Sequence, residues 1–251
     1  MDETTANSKW TELELLPEWD EQYYDVYTGK KHGKWVMLKT LKPAYKDDPR
    51  FRAMIEKEFD VRYNLAHPNI VMINDFEDVP GLGRCIVCDD VYGTSLRKLI
   101  DEGKVTPAHI EQLRRCLPSA LAYIQTNHIV HHPIRPERII FTENIGNLKL
   151  IDVGFEQRES LSRAAACDDI RAYGEVVLET LDSSGIADPA LHAVAERCVR
   201  TDSRRIAGVD ELQLALSGHG RSNRLYIMII AFLVVMVAVL GWLCTRPVNN
   251  L

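Results

Sequence analysis

The sequence predicts an α+β fold of two lobes, a small β-rich lobe followed by a larger helical one, with a single transmembrane helix at the C-terminus. Three observations carry this. Apolar and polar residues alternate between residues 20 and 88, the period of half-buried strands. From 89 to 216 the apolar residues recur at three- and four-residue steps, the period of helices. Residues 225–243 then run LYIMIIAFLVVMVAVLGWL without a charge or a proline. The chain divides into an N-terminal segment 1–19, a β-rich lobe 20–88, a helical lobe 89–216, a linker 217–224, a membrane span 225–243 and a tail 244–251.

In the first lobe, Gln22–Tyr27 and Lys34–Leu41 read as a hairpin closed around Gly29–Gly33. Asp48-Pro49 opens a helix, since proline suits the first helical position, and Phe51, Met54, Ile55 and Phe59 form its apolar stripe. Strands follow near Met72–Phe76 and Cys85–Val87, joined by the turn Pro80-Gly81-Leu82-Gly83. In the second lobe Ser95–Asp101 reads as a short helix, and Thr106 with Pro107 caps a long one reaching about Asn127. After a loop and strands over 129–152, helices are expected at 169–181, 188–200 and 207–216.

The span of 19 residues would extend about 28 Å as a helix, close to a bilayer's hydrocarbon thickness. Tyr226 and Trp242 stand near its ends, where interfacial aromatics belong. Arg197, Arg200, Arg204, Arg205, Arg221 and Arg224 precede it and only Arg246 follows, so the N-terminal domain is expected to face the cytoplasm of a single-pass membrane protein. The polar start MDETTANSKW reads as no secretory signal. A net charge of −6 argues against nucleic acid as the partner. The six cysteines (85, 88, 116, 167, 198 and 244) are scattered, as suits a reducing compartment. Cys85 and Cys88 lie three apart on a strand and would point to opposite faces, so a metal or redox use of the pair is not expected.

Several motifs in order resemble those of protein kinases. Trp35-Val36-Met37-Leu38-Lys39 is similar to the V-A-I-K strand, with Lys39 as the phosphate-gripping lysine. Glu58, in the next helix, precedes His67-Pro68-Asn69-Ile70-Val71, which looks like the segment after the kinase helix that supplies the lysine's partner. Val87-Cys88-Asp89-Asp90-Val91 looks like the hinge between lobes, with Cys88 as gatekeeper. His131-His132-Pro133-Ile134-Arg135-Pro136-Glu137-Arg138 has the layout of the H-R-D-L-x-x-x-N catalytic loop, and Asp152-Val153-Gly154 that of D-F-G. Asp169-Ile170-Arg171-Ala172-Tyr173-Gly174 resembles the start of a later kinase helix, and Arg205 the late structural arginine. The chain is thereby identified as a degenerate member of the protein-kinase-like superfamily, across nearly all of residues 20–216. The resemblance implies nucleotide binding by Lys39, Glu58, Cys88, Asp89, Val91 and Asp152, with Asp152 also holding Mg²⁺. ATP and Mg²⁺ are thus the implied cofactors; neither zinc nor haem is expected, because His128, His131 and His132 lack completing ligands.

The departures are chemical. Pro133 stands where the catalytic aspartate belongs and cannot accept a proton, a loss worth roughly 10²–10⁴-fold in rate. Arg138 brings a cation where a metal-binding asparagine belongs, and Arg135 occupies a further degenerate position of that loop. His132, in the arginine slot, is not favoured as a substitute base. The stretch LLPEWDEQYYDVY should form the glycine-rich phosphate cover, yet it contains no glycine. Its side chains Glu18, Asp20, Glu21, Tyr23 and Tyr24 would crowd or repel a triphosphate. Residues 153–168 alone separate Asp152 from Asp169, and no A-P-E triplet lies among them. The main expectation is a membrane-anchored pseudokinase serving an unidentified cytoplasmic signalling protein as scaffold or allosteric regulator. The alternatives are a working Ser/Thr-type kinase or nucleotidyl transferase using Lys39, Glu58 and Asp152, and an interaction module that binds no nucleotide.

Overall fold

The computed structural model describes residues 9–19, 21–143 and 147–217, with Ile230, Phe232, Leu233 and Met236 beyond them. Apart from those four, the expected membrane span 225–243 lies outside the described residues, as do the linker from 218 and the tail. Among the described residues no helix is long and apolar enough to cross a membrane.

The first lobe is a five-stranded antiparallel sheet in the order β1-β2-β3-β5-β4. Strand β1 (Trp10–Leu15) falls in the segment 1–19 that the sequence left outside the lobe. Its pattern is irregular because the pairing slips between Thr11 and Glu14, with Glu12 at φ 55. Strands β2 (Tyr24–Lys31) and β3 (Lys34–Leu41) pair in register from Tyr24↔Leu41 to Lys31↔Lys34. Their turn is only His32-Gly33, both at positive φ, the primed geometry that matches strand twist. Gly29, expected in the turn, instead lies inside β2, where a Cβ would come within 2.6 Å of Leu13 on β1.

Helix α1 (Pro49–Tyr63) begins where Asp48 accepts a hydrogen bond from Arg50 N–H and Pro49 takes the first position. It buries Ile55, Glu58 and Arg62 toward the sheet, so its hidden face is partly ionic. Strands β4 (Ile73–Val79) and β5 (Gly83–Asp89) complete the sheet. Alternation along β5 sends Cys85 into a cluster with Leu38 and Val36, and Cys88 into another with Met37 and Ile55.

Beyond the hinge, β6 (Gly93–Ser95) leads into α2 (Leu96–Asp101), capped by the Ser95 side chain. Helix α3 (Pro107–Thr126) opens on a reciprocal Thr106–His109 capping box and buries Leu113, Leu117, Leu121 and Ile124 completely. Strand β7 (Ile129–Val130), a 3-10 turn at Pro136–Arg138, β8 (Ile139–Thr142) and β9 (Leu148–Leu150) follow. Strand β10 (Glu156–Gln157) returns to pair with β7. Helix α4 (Arg163–Ser184) starts six residues before the expected 169, since Ser162 caps it and Ala164–Ala166 are strong helix formers. Helices α5 (Pro189–Val199) and α6 (Val209–Leu216) close the lobe.

Gly174 on α4 makes the contact with α5 close enough to exclude any side chain. A Cβ there would lie 2.6 Å from Cys198 Cβ and 2.8 Å from Ala195 O. Gly174→Ala should therefore destabilise the chain by about 1–3 kcal/mol, seen as a lower urea midpoint with an unchanged slope.

Candidate functional site

Lys39 lies in the middle of β3, on the face that turns toward α1. Its ammonium is 3.0 Å from Glu58 Oε1, 2.7 Å from Asp152 Oδ1 and 3.2 Å from Glu21 Oε2. The Tyr24 ring sits 4.2 Å from the same nitrogen. Glu58 comes from the buried face of α1, and one turn later Arg62 reaches back to Glu58 Oε1 at 2.8 Å. Asp152 follows β9 in a left-handed turn at φ 55, with Gly154 at φ 89. A Cβ on Gly154 would press on Ile129 and Arg62 at 3.1 and 3.2 Å, which is why glycine stands there. Arg138 ends the 3-10 turn and is held beside Asp152 because its carbonyl accepts from Ile151 N–H at 2.9 Å. Its guanidinium donates to Asp152 Oδ2.

Three cations, Lys39, Arg62 and Arg138, thus face three carboxylates, Glu21, Glu58 and Asp152. Burial alone would discharge Lys39, but the carboxylates of Glu58, Asp152 and Glu21 outweigh it and hold its pKa above the ordinary range. Burial likewise opposes ionised Asp152, and Lys39, Arg62 and Arg138 overcome it, so its pKa falls below the usual carboxylate value. Glu58 is lowered against burial by Lys39 and Arg62. Glu21 goes the other way: burial, reinforced by the charges of Asp152 and Glu58, raises it despite Lys39.

The remaining expected residues fall into two groups. Cys88 and Val91 are buried in the apolar cluster that holds Val26, Met37 and Ile140, against which Leu16 and Trp19 pack. Asp89 borders it, its backbone N–H bound to Met72 O at 3.0 Å and its carboxylate to Asn74 at 2.8 Å. Pro133 and Arg135 are exposed and stand outside the ionic cluster. His131 sits 2.9 Å from Asp169 and ties the loop to α4; burial lowers its pKa, but the bond and charge of Asp169 raise it overall. Arg205 lies exposed between α5 and α6. Sequence reading missed Arg62, although the Glu58-to-Arg62 spacing of four is a helical ion-pair signal. It named Glu21 as an obstacle without foreseeing the bond to Lys39.

A cavity of about 750 Å³ opens beside the cluster, between the β1–β2 connection, α1 and the catalytic-type loop; Tyr23, Met54, Lys57, His132, Arg138 and Phe155 line much of it. Mg²⁺ requires oxygen donors, yet both Asp152 oxygens accept from cations and the second ligand position holds Arg138. The residues present do not fit Mg²⁺, and Lys39 is free for a phosphate only if Glu21 leaves.

Comparison with known proteins places this site in its family. The protein kinase domain model matches residues 22–169, more than half of the chain, and the chain belongs to that family. It is 31% identical over 157 residues to the serine/threonine-protein kinase PknD of Mycobacterium tuberculosis, covering 62% of this chain and 22% of that one. It is 32% identical over 120 residues to the serine/threonine-protein kinase PrkC of Bacillus subtilis, covering 47% and 18%. The mouse serine/threonine-protein kinase 36 matches at 29% over 155 residues, covering 61% and 11%. The chain therefore spans only a fraction of these relatives' length. The crystal structure of the Mycobacterium tuberculosis PknI kinase domain shares the fold, with TM-score 0.61 at 20% identity over 85% of this chain and 96% of the other.

Asp152→Asn would leave Lys39 and Arg138 short of a counter-charge and should cost roughly 3–5 kcal/mol at neutral pH. The sign of the pH effect follows from the lowered pKa values of Asp152 and Glu58. Their contribution is complete above the unfolded values of about 3.9 and 4.3 and is lost as pH falls through the lower folded values. Denaturant titrations from pH 7 to pH 2 should show a shallower acid loss in Asp152→Asn than in the parent chain.

Proposed function

We propose that this chain is a pseudokinase, a kinase-family domain that serves as a signalling scaffold or allosteric regulator and transfers no phosphate. The observation that carries this reading is the Arg138 guanidinium on Asp152, in the place that a metal ion must occupy for phosphoryl transfer. Pro133 supports it, because no carboxylate stands there to receive the hydroxyl proton. The short segment before α4 supports it further, leaving little chain to hold a protein substrate. The apolar run 225–243 and the arginines before it favour attachment to a membrane by one span, the domain facing the cytoplasm and a signalling protein there as partner.

The family relatives back a second reading more directly. They are named as serine/threonine-protein kinases, and the assembled Lys39, Glu58 and Asp152 are the residues an ATP-dependent Ser/Thr-type kinase would use with Mg²⁺.

One experiment separates the two. The purified full chain, incubated with radiolabelled ATP, Mg²⁺ and a generic acceptor protein, is expected to give no labelling above a Lys39→Ala control. Labelling that the parent chain supports and Lys39→Ala abolishes would establish the kinase reading instead.

A further inference from the structure

We infer that this site is an anion receptor gated by Glu21: it takes the polyphosphate of a nucleotide without a divalent cation, Arg138 standing where the metal would be. The inference rests on the reading that Asp152 holds no metal. Of the three carboxylates on Lys39, Glu58 and Asp152 are 6% and 8% exposed and come from α1 and the turn after β9. Glu21 is 24% exposed and comes from the connection between β1 and β2, whose described residues hold one regular element, the 3-10 turn Pro17–Trp19. It is also the one carboxylate of the three whose charge its surroundings oppose, with burial first and the Asp152 and Glu58 charges after. An anion competing for Lys39 would therefore displace Glu21 before either of the others.

The space beside it suits such an anion. The cavity of about 750 Å³ lies in the range of small-molecule sites; Lys57, His132 and Arg138 bring basic nitrogen to its wall, where Glu58 already pairs with Lys39 and Glu156 stands 3.8 Å from Lys57. The bond to Asp152 uses Nη1 of Arg138, and Nε and Nη2 carry further donors in the fork that suits phosphate oxygens. With Glu21 withdrawn, Lys39 and Arg138 would face the polyphosphate from two sides. A divalent cation would gain nothing there, because the oxygens it needs on Asp152 are already engaged.

The test is a calorimetric titration of the full chain in detergent with ATP, once in EDTA and once in excess Mg²⁺. In EDTA, Glu21→Gln should bind ATP at least tenfold more tightly than the parent chain, about 1.4 kcal/mol, and Mg²⁺ should not tighten it further. Adding Arg138→Asn to that variant should abolish the gain. Glu21→Ala, checked with Glu21→Gln for a cooperative melt, should repeat it. Pyrophosphate binding as tightly as ATP would assign recognition to the phosphates alone; ATP binding more tightly would add the nucleoside, and either agrees with the gate. No gain in both variants, or a gain that appears only with Mg²⁺, would overturn it. Phosphate transfer by the full chain would end the scaffold reading separately, since the EDTA titration contains no reaction.

Discussion

The Lys39 ammonium, held by three carboxylates from three distant parts of the chain, is the interaction on which the rest of the site depends. Glu58 places α1 against the sheet, Asp152 brings the second lobe to the first, and Glu21 draws the β1–β2 connection down over both. A buried cation demands such partners, because its desolvation costs several kcal/mol that only close, well-directed anions offset. In a nucleotide-dependent enzyme part of that demand is met by phosphates and metal. Here Glu21, Glu58 and Asp152 meet it.

The second consequence is charge balance. Arg62 and Arg138 bring the cluster to three positive and three negative groups, so the charges balance for as long as Glu21 stays on Lys39, and both oxygens of Asp152 are held by cations. The lysine–glutamate pairing that kinases must assemble before they act is one part of this balance. The kinase-family ancestry explains why the frame exists, and fold alone does not decide what it does.

Much of this was legible in the sequence where a single local rule was decisive. Asp48-Pro49 and Thr106-Pro107 fixed two helix starts, and strand alternation separated Cys85 from Cys88. Lys39, Glu58 and Asp152 were recognisable from motif order and do converge. Strand β1 escaped notice because a slip in its pairing breaks the alternation. The early start of α4 was hidden because the motif Asp169–Gly174, which resembles the start of a kinase helix, lies inside this one. Burial of Arg62 and the ion pair of Lys39 with Glu21 depend on how distant parts of the chain meet, and no local spacing encodes that.

The most direct measurement is electron paramagnetic resonance of Mn²⁺, a paramagnetic substitute for Mg²⁺, titrated into the full chain with ATP. With Arg138 seated on Asp152, the spectrum should match that of Mn²⁺ and ATP without protein. A protein-bound Mn²⁺ signal that disappears in Asp152→Asn would contradict the account, because it would place a metal where the guanidinium is said to lie.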